Sequence, residues 1–203
     1  MINLVDITTK TQARKCLTEG NNKLAKDILV WNLPATMQVC GRICKGCYAI
    51  KAQKMYPNVM PSRQGKLDMS QRSDFVPTVL GSIDKLGRDK VRIHESGDFY
   101  SQEYVNNWVS IAKQRPNVVF LAYTKRMNDF DFSELRSLPN TIVINSLFGK
   151  KLNYGAIDKA PENAVLCPAY DKQVKGCGHD CNICYDLDNK AKLEKDGIYF
   201  SIH

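Results

Sequence analysis

Two cysteine-rich loops set the strongest constraint on how this 203-residue chain can fold. They are CGRICKGCY, from Cys40 to Tyr48, and CGHDCNICY, from Cys177 to Tyr185, and together they hold six of the eight cysteines. The N-terminal segment MINLVDITTKTQARKC has no apolar run of signal-peptide length, and a chain of this size buries a core without covalent cross-links. Clustered thiols in such a chain indicate metal binding rather than disulfides.

Short apolar segments alternate with helical segments along the chain. Strands are predicted at 28–35, 90–96, 117–124, 140–146 and 163–169, and a helix capped by Ser101 follows the second of them. Repeated strand, loop and helix units predict a parallel sheet. No G-x-G-x-x-G motif follows the first strand, so we predict an α/β protein with a partial or small TIM-like (β/α) barrel. Both cysteine loops follow strands, which places them at the C-terminal rim.

The chain has the length of a single domain, 1–203. We assign 1–160 to the barrel and 161–203 to a C-terminal cysteine-rich, cluster-binding segment with the last strand. No apolar run approaches the length of a membrane span, so we expect a soluble, cytoplasmic protein without a membrane partner. The net charge of +8 would suit a nucleic-acid partner, but no basic arm or DNA-binding motif supports one.

The first cysteine triad has the spacing Cys40-x3-Cys44-x2-Cys47. Soft thiolates select zinc, copper(I) or iron–sulfur clusters, and zinc fingers usually show two ligand pairs. Three cysteines at these short spacings fit a 4Fe-4S cluster better. Three ligands leave the fourth iron open to water, to a small-molecule substrate or cofactor, or to another protein group.

The second set adds one cysteine to its triad, and its members are Cys167, Cys177, Cys181 and Cys184. Four thiols complete either a second 4Fe-4S cluster or a structural zinc site. A third interpretation is one shared cluster, in which Cys16 or a cysteine of the second set completes the first triad. The sequence leaves these alternatives open.

The first triad resembles the cluster motif of radical S-adenosylmethionine enzymes. In that superfamily the open iron chelates S-adenosylmethionine, and a Gly-Gly-Glu-type motif after the second strand supports the cofactor's amino group. The resemblance therefore implies that Ser96, Gly97 and Asp98 bind the cofactor and that an electron donor is a partner. The residue before the third cysteine is Gly46, where the superfamily usually has an aromatic residue.

A closer resemblance is to the phage "gene product 88"-like family. The shared features are Gly20-Asn21-x-Lys23-Leu24, Leu33-Pro34-Ala35, Cys47-Tyr48-Ala49, the segment SGDF from Ser96 and the segment AYTK from Ala122. The resemblance implies an iron–sulfur protein on a radical-SAM-like barrel, in the host cytoplasm if the chain is phage-encoded. It implies no reaction.

Four polar residues near strand ends are candidate catalytic residues: His94, Asp98, Tyr123 and Lys125. If Ser96 points to the rim, period-two alternation directs His94 the same way, into the barrel, where it could act as a base, although a buried core histidine is the favoured interpretation. Three functions follow from the sequence. The first is a radical-SAM-type enzyme, the second a non-radical iron–sulfur hydrolase with an open iron as Lewis acid, and the third an iron–sulfur protein associated with nucleic acid.

Overall fold

A five-stranded, mostly parallel sheet forms the centre of the protein. The computed structural model describes residues 7–44, 46–146, 163, 165–168 and 176–199. The strands are β1 (Thr18–Glu19), β2 (Ile28–Trp31), β3 (Lys90–Ile93), β4 (Val119–Thr124) and β5 (Thr141–Asn145), in that spatial order. β1 is antiparallel to β2, and the other neighbours are parallel. The first four predicted strands are confirmed.

Helices follow the strands as the α/β pattern predicts. They are α1 (Lys10–Cys16), α2 (Met37–Cys40), α3 (Tyr48–Met55), α4 (Val59–Ser70), α5 (Phe75–Leu86), α6 (Gln102–Gln114), α7 (Ser133–Ser137) and α8 (Lys190–Asp196). The predicted cap of α6 is present, since the Ser101 side chain accepts a hydrogen bond from the Tyr104 N–H at 3.1 Å. No helix in the described part of the chain is both long and apolar enough to cross a bilayer.

The two faces of the sheet are covered differently. On one face, alternate strand residues such as Trp31, Ile93 and Phe120 pack with the apolar sides of α1, α5 and α6. On the other face, Val30 and Leu121 belong to a second core cluster that the C-terminal segment covers. Its members are Leu24, Ile28, Val30, Leu121, Ile142, Ile144, Cys184, Tyr185 and Leu193. Because both faces are buried, the strands are nearly all apolar.

The C-terminal segment departs from the predicted strand order. The strand predicted at 163–169 forms as β6 (Val165–Leu166), but it pairs in parallel with β7 (Ile198–Tyr199) in a separate two-stranded sheet. Between them lie two 3₁₀ turns, Ile183–Tyr185 and Leu187–Asn189, and then α8. Among the described residues β1 and β5 are the edges of the main sheet, so the established fold is α/β with a mostly parallel sheet.

Candidate functional site

The first cysteine loop lies between the end of β2 and the start of α3. Cys40 is the last residue of α2, which ends because Gly41 adopts a left-handed conformation with φ of 67°. Cys47 caps α3. All three thiol-bearing residues, Cys40, Cys44 and Cys47, are half-buried. Two helix ends and the turn between them therefore carry the first triad.

The end of β4 holds this loop in place. The Lys125 ammonium donates a hydrogen bond to Cys44 Sγ at 3.0 Å, and the Arg126 guanidinium donates to the Val39 carbonyl at 3.3 Å. Gly41 has the positive φ that favours glycine, and a Cβ there would lie 2.6 Å from Arg126 Nη1, so a larger residue would also displace the guanidinium. The predicted candidate Lys125 is thus in direct contact with a cysteine of the first triad.

Asp98 links the ends of β3 and β4. Its buried carboxylate accepts hydrogen bonds from the Phe99 N–H at 2.8 Å, the Thr124 hydroxyl at 2.6 Å and the Lys125 N–H at 2.9 Å. Burial raises the pKa of Asp98, and the three hydrogen bonds act in the opposite direction. Burial also raises the pKa of Cys40 to about 12, with further contributions from the negative charge of Asp98 and from the other two thiols. Asp98 and the first triad therefore share one site.

Ser96 and Gly97 join the end of β3 to the chain that follows β2. The Ser96 hydroxyl donates to the Leu33 carbonyl at 2.9 Å, and the Leu33 N–H donates back to the Ser96 carbonyl at 2.9 Å. Gly97 has φ of 81°, and a Cβ there would lie 2.5 Å from Leu33 Cβ. The segment Ser96 to Asp98 thus ties β3 to both of its neighbours beside the first cysteine loop.

His94 faces the helices and not the cysteine loop. Its Nε2 lies 2.9 Å from the Tyr104 hydroxyl on α6, and its ring packs edge-on against Phe99 at 4.8 Å. The expected direction was wrong because His94 has φ of 66°, which interrupts the strand's alternation. Burial, and secondarily the charge of Arg92, lowers the pKa of His94 to about 3. It is a neutral core histidine, as the favoured interpretation had it.

The second cysteine set lies against the sheet face that α5 and α6 leave uncovered. Cys184 is buried with Val30 and Leu121, and its Sγ accepts a hydrogen bond from the Tyr123 hydroxyl at 3.2 Å. The Cys177 carbonyl accepts from the Ala25 N–H, which precedes β2. The second cysteine loop was predicted at the strand ends of the main sheet. It lies instead against a face of that sheet, because β6 belongs to a separate sheet.

The four cysteines of the second set are electrostatic neighbours. Burial raises the pKa of Cys184 to about 12, and the nearby Cys177 and Cys167 contribute to the shift. Burial likewise raises the pKa of Cys177, with contributions from Cys167 and Cys181. The assignment of these four residues to one metal site stays a prediction.

The thiols are free and not in a closed metal-ligand arrangement. All eight cysteines are in the described part of the chain, and none forms a disulfide. Among the residues that the structure describes, no group of three or more His, Cys, Asp or Glu side chains is arranged to hold a metal ion. The assignment of both sets as metal ligands therefore stays a prediction.

Arg92 is a site residue that the sequence analysis missed. Its guanidinium lies 4.0 Å from the centroid of the Tyr123 ring, on the face that carries the second cysteine set. Its positive charge acts on Cys177 and Cys184 against the larger effect of burial, which raises the pKa of both. The alternation in β3, where Val91 and Ile93 face the helices, could have placed Arg92 there.

Cys16 and Lys66 form a second group that the sequence analysis did not connect. Cys16 is buried in the helix-side core, where burial raises its pKa to about 11, while Ser82 and Lys66 act in the opposite direction. Lys66 on α4 is 4% exposed, and its ammonium lies 5.7 Å from the Trp31 ring centroid. Burial lowers the pKa of Lys66 to about 8. Cys16 is therefore a core residue outside the first cysteine loop.

Comparison with known proteins gives a family and no function. No curated protein matches the chain, and no solved structure does. The family model described as Gene product 88 matches residues 7–190, a range that includes both cysteine loops and the whole main sheet. This match confirms the resemblance to the phage-type family and does not extend to radical SAM enzymes. The chain belongs to the Gene product 88 family.

Proposed function

We propose that the protein is an iron–sulfur protein whose first cysteine triad binds a 4Fe-4S cluster with one open iron, and that it is a radical-SAM-type enzyme. The observation that carries this proposal is the contact of the triad with the end of β4. The Lys125 ammonium donates to Cys44 Sγ at 3.0 Å, and the buried Asp98 accepts from the Lys125 N–H at 2.9 Å. A cysteine loop fixed beside a carboxylate and an ammonium is suited to a reactive centre.

The donor set fits such a cluster in its chemistry. Three half-buried thiols supply the soft ligands that iron–sulfur clusters require, and the Lys125 ammonium donates a hydrogen bond to one of them, Cys44 Sγ. When bound, the cluster supplies electron transfer and an open iron at which a small molecule can coordinate. Hydrogen bonds to the cluster sulfurs tune such centres, so Lys125 is placed to influence its potential.

The protein's own residues then have distinct roles in this proposal. Cys40, Cys44 and Cys47 hold the cluster, Lys125 positions Cys44, and Asp98 fixes the β4 end from which Lys125 extends. Ser96, Gly97 and Asp98 are proposed to orient S-adenosylmethionine, and its reductive cleavage requires an electron-donor partner. Strands β2 to β5 follow one another in space without reversal, which supports a partial (β/α) barrel over a doubly wound sheet.

One observation favours a second candidate function on the same scaffold. The Asp98 carboxylate already accepts three hydrogen bonds, and the Ser96 hydroxyl already donates to Leu33. The Asp98 carboxylate has about four acceptor sites, so about one is left for a cofactor's amino group. A non-radical, hydrolase-type enzyme requires no such group, because an open iron can polarise water or a carbonyl as a Lewis acid.

The second cysteine set is proposed as a closed site. Cys167, Cys177, Cys181 and Cys184 would complete either a second 4Fe-4S cluster or a structural zinc site, since four thiols satisfy both. The Tyr123 hydroxyl that donates to Cys184 would then be an outer hydrogen-bond partner of that site. Its burial between the sheet and the C-terminal segment suits a structural role.

The test is metal analysis of anaerobically purified protein with matched cysteine variants. We expect iron and sulfide in the wild-type chain, and loss of about four irons per chain in the variant Cys40→Ala/Cys44→Ala/Cys47→Ala. The control is Cys16→Ala, which removes a core thiol and keeps the iron content. Zinc without iron in the wild-type protein would overturn both functions.

Addition of S-adenosylmethionine separates the two candidate functions. In the radical-SAM-type enzyme, the electron paramagnetic resonance spectrum of the reduced cluster changes and the cofactor is cleaved. An unchanged spectrum, with iron present and no cleavage, would exclude that enzyme and leave the hydrolase-type function.

A further inference from the structure

The first cysteine loop lies within a long segment that has no acidic residue. Residues 28–67 contain no Asp or Glu and six Lys or Arg residues. The whole chain has a net charge of +8, so about a fifth of its length supplies most of the excess positive charge. The net positive charge is therefore concentrated in this segment because it lacks acidic residues.

The outer side of this segment is exposed and partly aromatic. Among the described residues, five of the six large hydrophobic side chains that are exposed lie in it, and they are Met37, Ile43, Tyr48, Met55 and Tyr56. On α3, Tyr48, Lys51 and Met55 have the spacing of one helix face and are exposed, while Ala49 on the opposite side is buried. Lys54 is exposed beside them. One face of α3 and the residues beside it thus carry an aromatic ring, two lysines and a methionine that are all exposed.

Some exposed lysines of the protein pair with acidic side chains and others do not. Lys113 pairs with Glu134 at 2.5 Å, and Lys192 pairs with Asp196 at 3.1 Å. Within the part of the chain that the structure describes, Lys51 forms no ion pair, and the same is true of Lys54. Their charges are therefore uncompensated beside the cysteine loop.

Tyr48 is exposed and yet fixed in orientation. Its side chain is 62% exposed, while its hydroxyl donates a hydrogen bond to the Glu95 carbonyl at the end of β3. A ring held by its hydroxyl presents a flat face without a further loss of rotational freedom. Tyr56 gives a second exposed ring, 55% exposed, at the other end of α3. Two rings with lysines between them match the base and phosphate pattern of a single strand.

We propose that α3 and the first cysteine loop form a binding surface for single-stranded nucleic acid. Lys51 and Lys54 contact phosphates, and Tyr48 and Tyr56 stack on bases. Uncompensated lysines favour this ligand over an acidic protein, because protein interfaces are depleted in lysine. The surface borders the first triad, so the strand would pass beside the centre proposed above. The inference itself holds for whichever metal the cysteines bind.

The test is fluorescence anisotropy with labelled DNA and RNA strands of about 16 nucleotides, a length that spans such a site. We expect wild-type binding that weakens as salt rises from about 50 to about 200 mM. The variant Lys51→Glu/Lys54→Glu should bind at least about tenfold more weakly, with a salt slope shallower by about 1.4. Tyr48→Leu/Tyr56→Leu should also weaken binding about tenfold while the salt slope stays the same.

The matched control is Lys10→Glu/Lys15→Glu, which makes the same change in charge on the exposed side of α1. It should bind within about twofold of wild type, because the effect is local and exposed charges farther away are screened. Equal weakening by this control would overturn the proposal in favour of general charge attraction. Absence of wild-type binding at low salt, tighter binding of a duplex, or full displacement by polyglutamate would each overturn it as well. Metal analysis and circular dichroism of each variant separate these outcomes from loss of the cluster or the fold.

Discussion

Replacement of Lys66 by methionine should change how the stability of the protein depends on pH. Lys66 is 4% exposed on α4, and burial lowers its pKa from 10.5 to about 8. Between pH values of about 8 and 10.5, the Lys66 amine is protonated in the unfolded chain and mostly neutral in the folded chain. The folded state therefore gains stability as pH rises above about 8, and this contribution is lost as pH falls through the folded pKa.

The size of the effect follows from the shift. From about pH 7 to about pH 9, one unit above the folded pKa, Lys66 should add about 1.4 kcal/mol to the free energy of unfolding. Lys66→Met removes this gain and keeps a side chain of similar length over Trp31. Cys16 acts oppositely at higher pH, because its raised pKa of about 11 means that the unfolded thiol ionises first. The measurement therefore ends at about pH 9, near the ordinary pKa of a thiol.

The assay is urea unfolding of wild type and Lys66→Met at both pH values, with Lys85→Met as the control. Lys85 is exposed on α5, so its replacement should leave the wild-type pH dependence intact. The free energy of unfolding of the wild type, relative to that of Lys66→Met, should rise by about 1.4 kcal/mol over the interval. Parallel changes in the two proteins, within about 0.5 kcal/mol, would refute the placement of an ammonium in the core.

Two further substitutions test the link between strand ends and the cysteine loop. Gly97→Ala should lower the free energy of unfolding in urea by about 2 kcal/mol or more, because φ is 81° and the new Cβ would lie 2.5 Å from Leu33 Cβ; a change below about 0.5 kcal/mol would show that the segment relaxes. Asp98→Asn should cost about 2 kcal/mol in the same assay, because an amide loses the charge-assisted hydrogen bond from the Lys125 N–H. It should also lower iron content, whereas the exposed control Asp131→Asn should change neither; equal effects of the two variants would contradict the proposed role of Asp98.

Much of the main sheet could be predicted because its strands are short apolar runs between polar loops. β2, β4 and β5 are mostly buried apolar runs, and β3 alternates Lys90 and Arg92 with the buried Val91 and Ile93, so both patterns indicate strands. Ser101 could be recognised as a helix cap because its hydroxyl acts on a residue three positions away. Such local interactions leave a pattern in the sequence.

The position of the second cysteine loop could not be predicted in the same way. Val165 and Leu166 form a strand, but its partner is β7 and not β5. That choice depends on contacts between distant parts of the chain, which no local pattern encodes. His94 shows a second limit, since one backbone angle of 66° reverses the direction that alternation predicts. Lys66 shows a third, because a lysine in a helical segment is ordinarily expected at the surface.

The last residues of β4 connect two sites that are far apart in sequence. Tyr123 donates to Cys184 and Lys125 donates to Cys44, and these two donors are separated by a single residue. Two residues of a strand span about 7 Å, and the sheet holds that length nearly constant. A displacement of β4 along its axis must therefore change both hydrogen bonds together. The hydrogen bonds to the two thiol sets therefore both depend on the position of this one strand end.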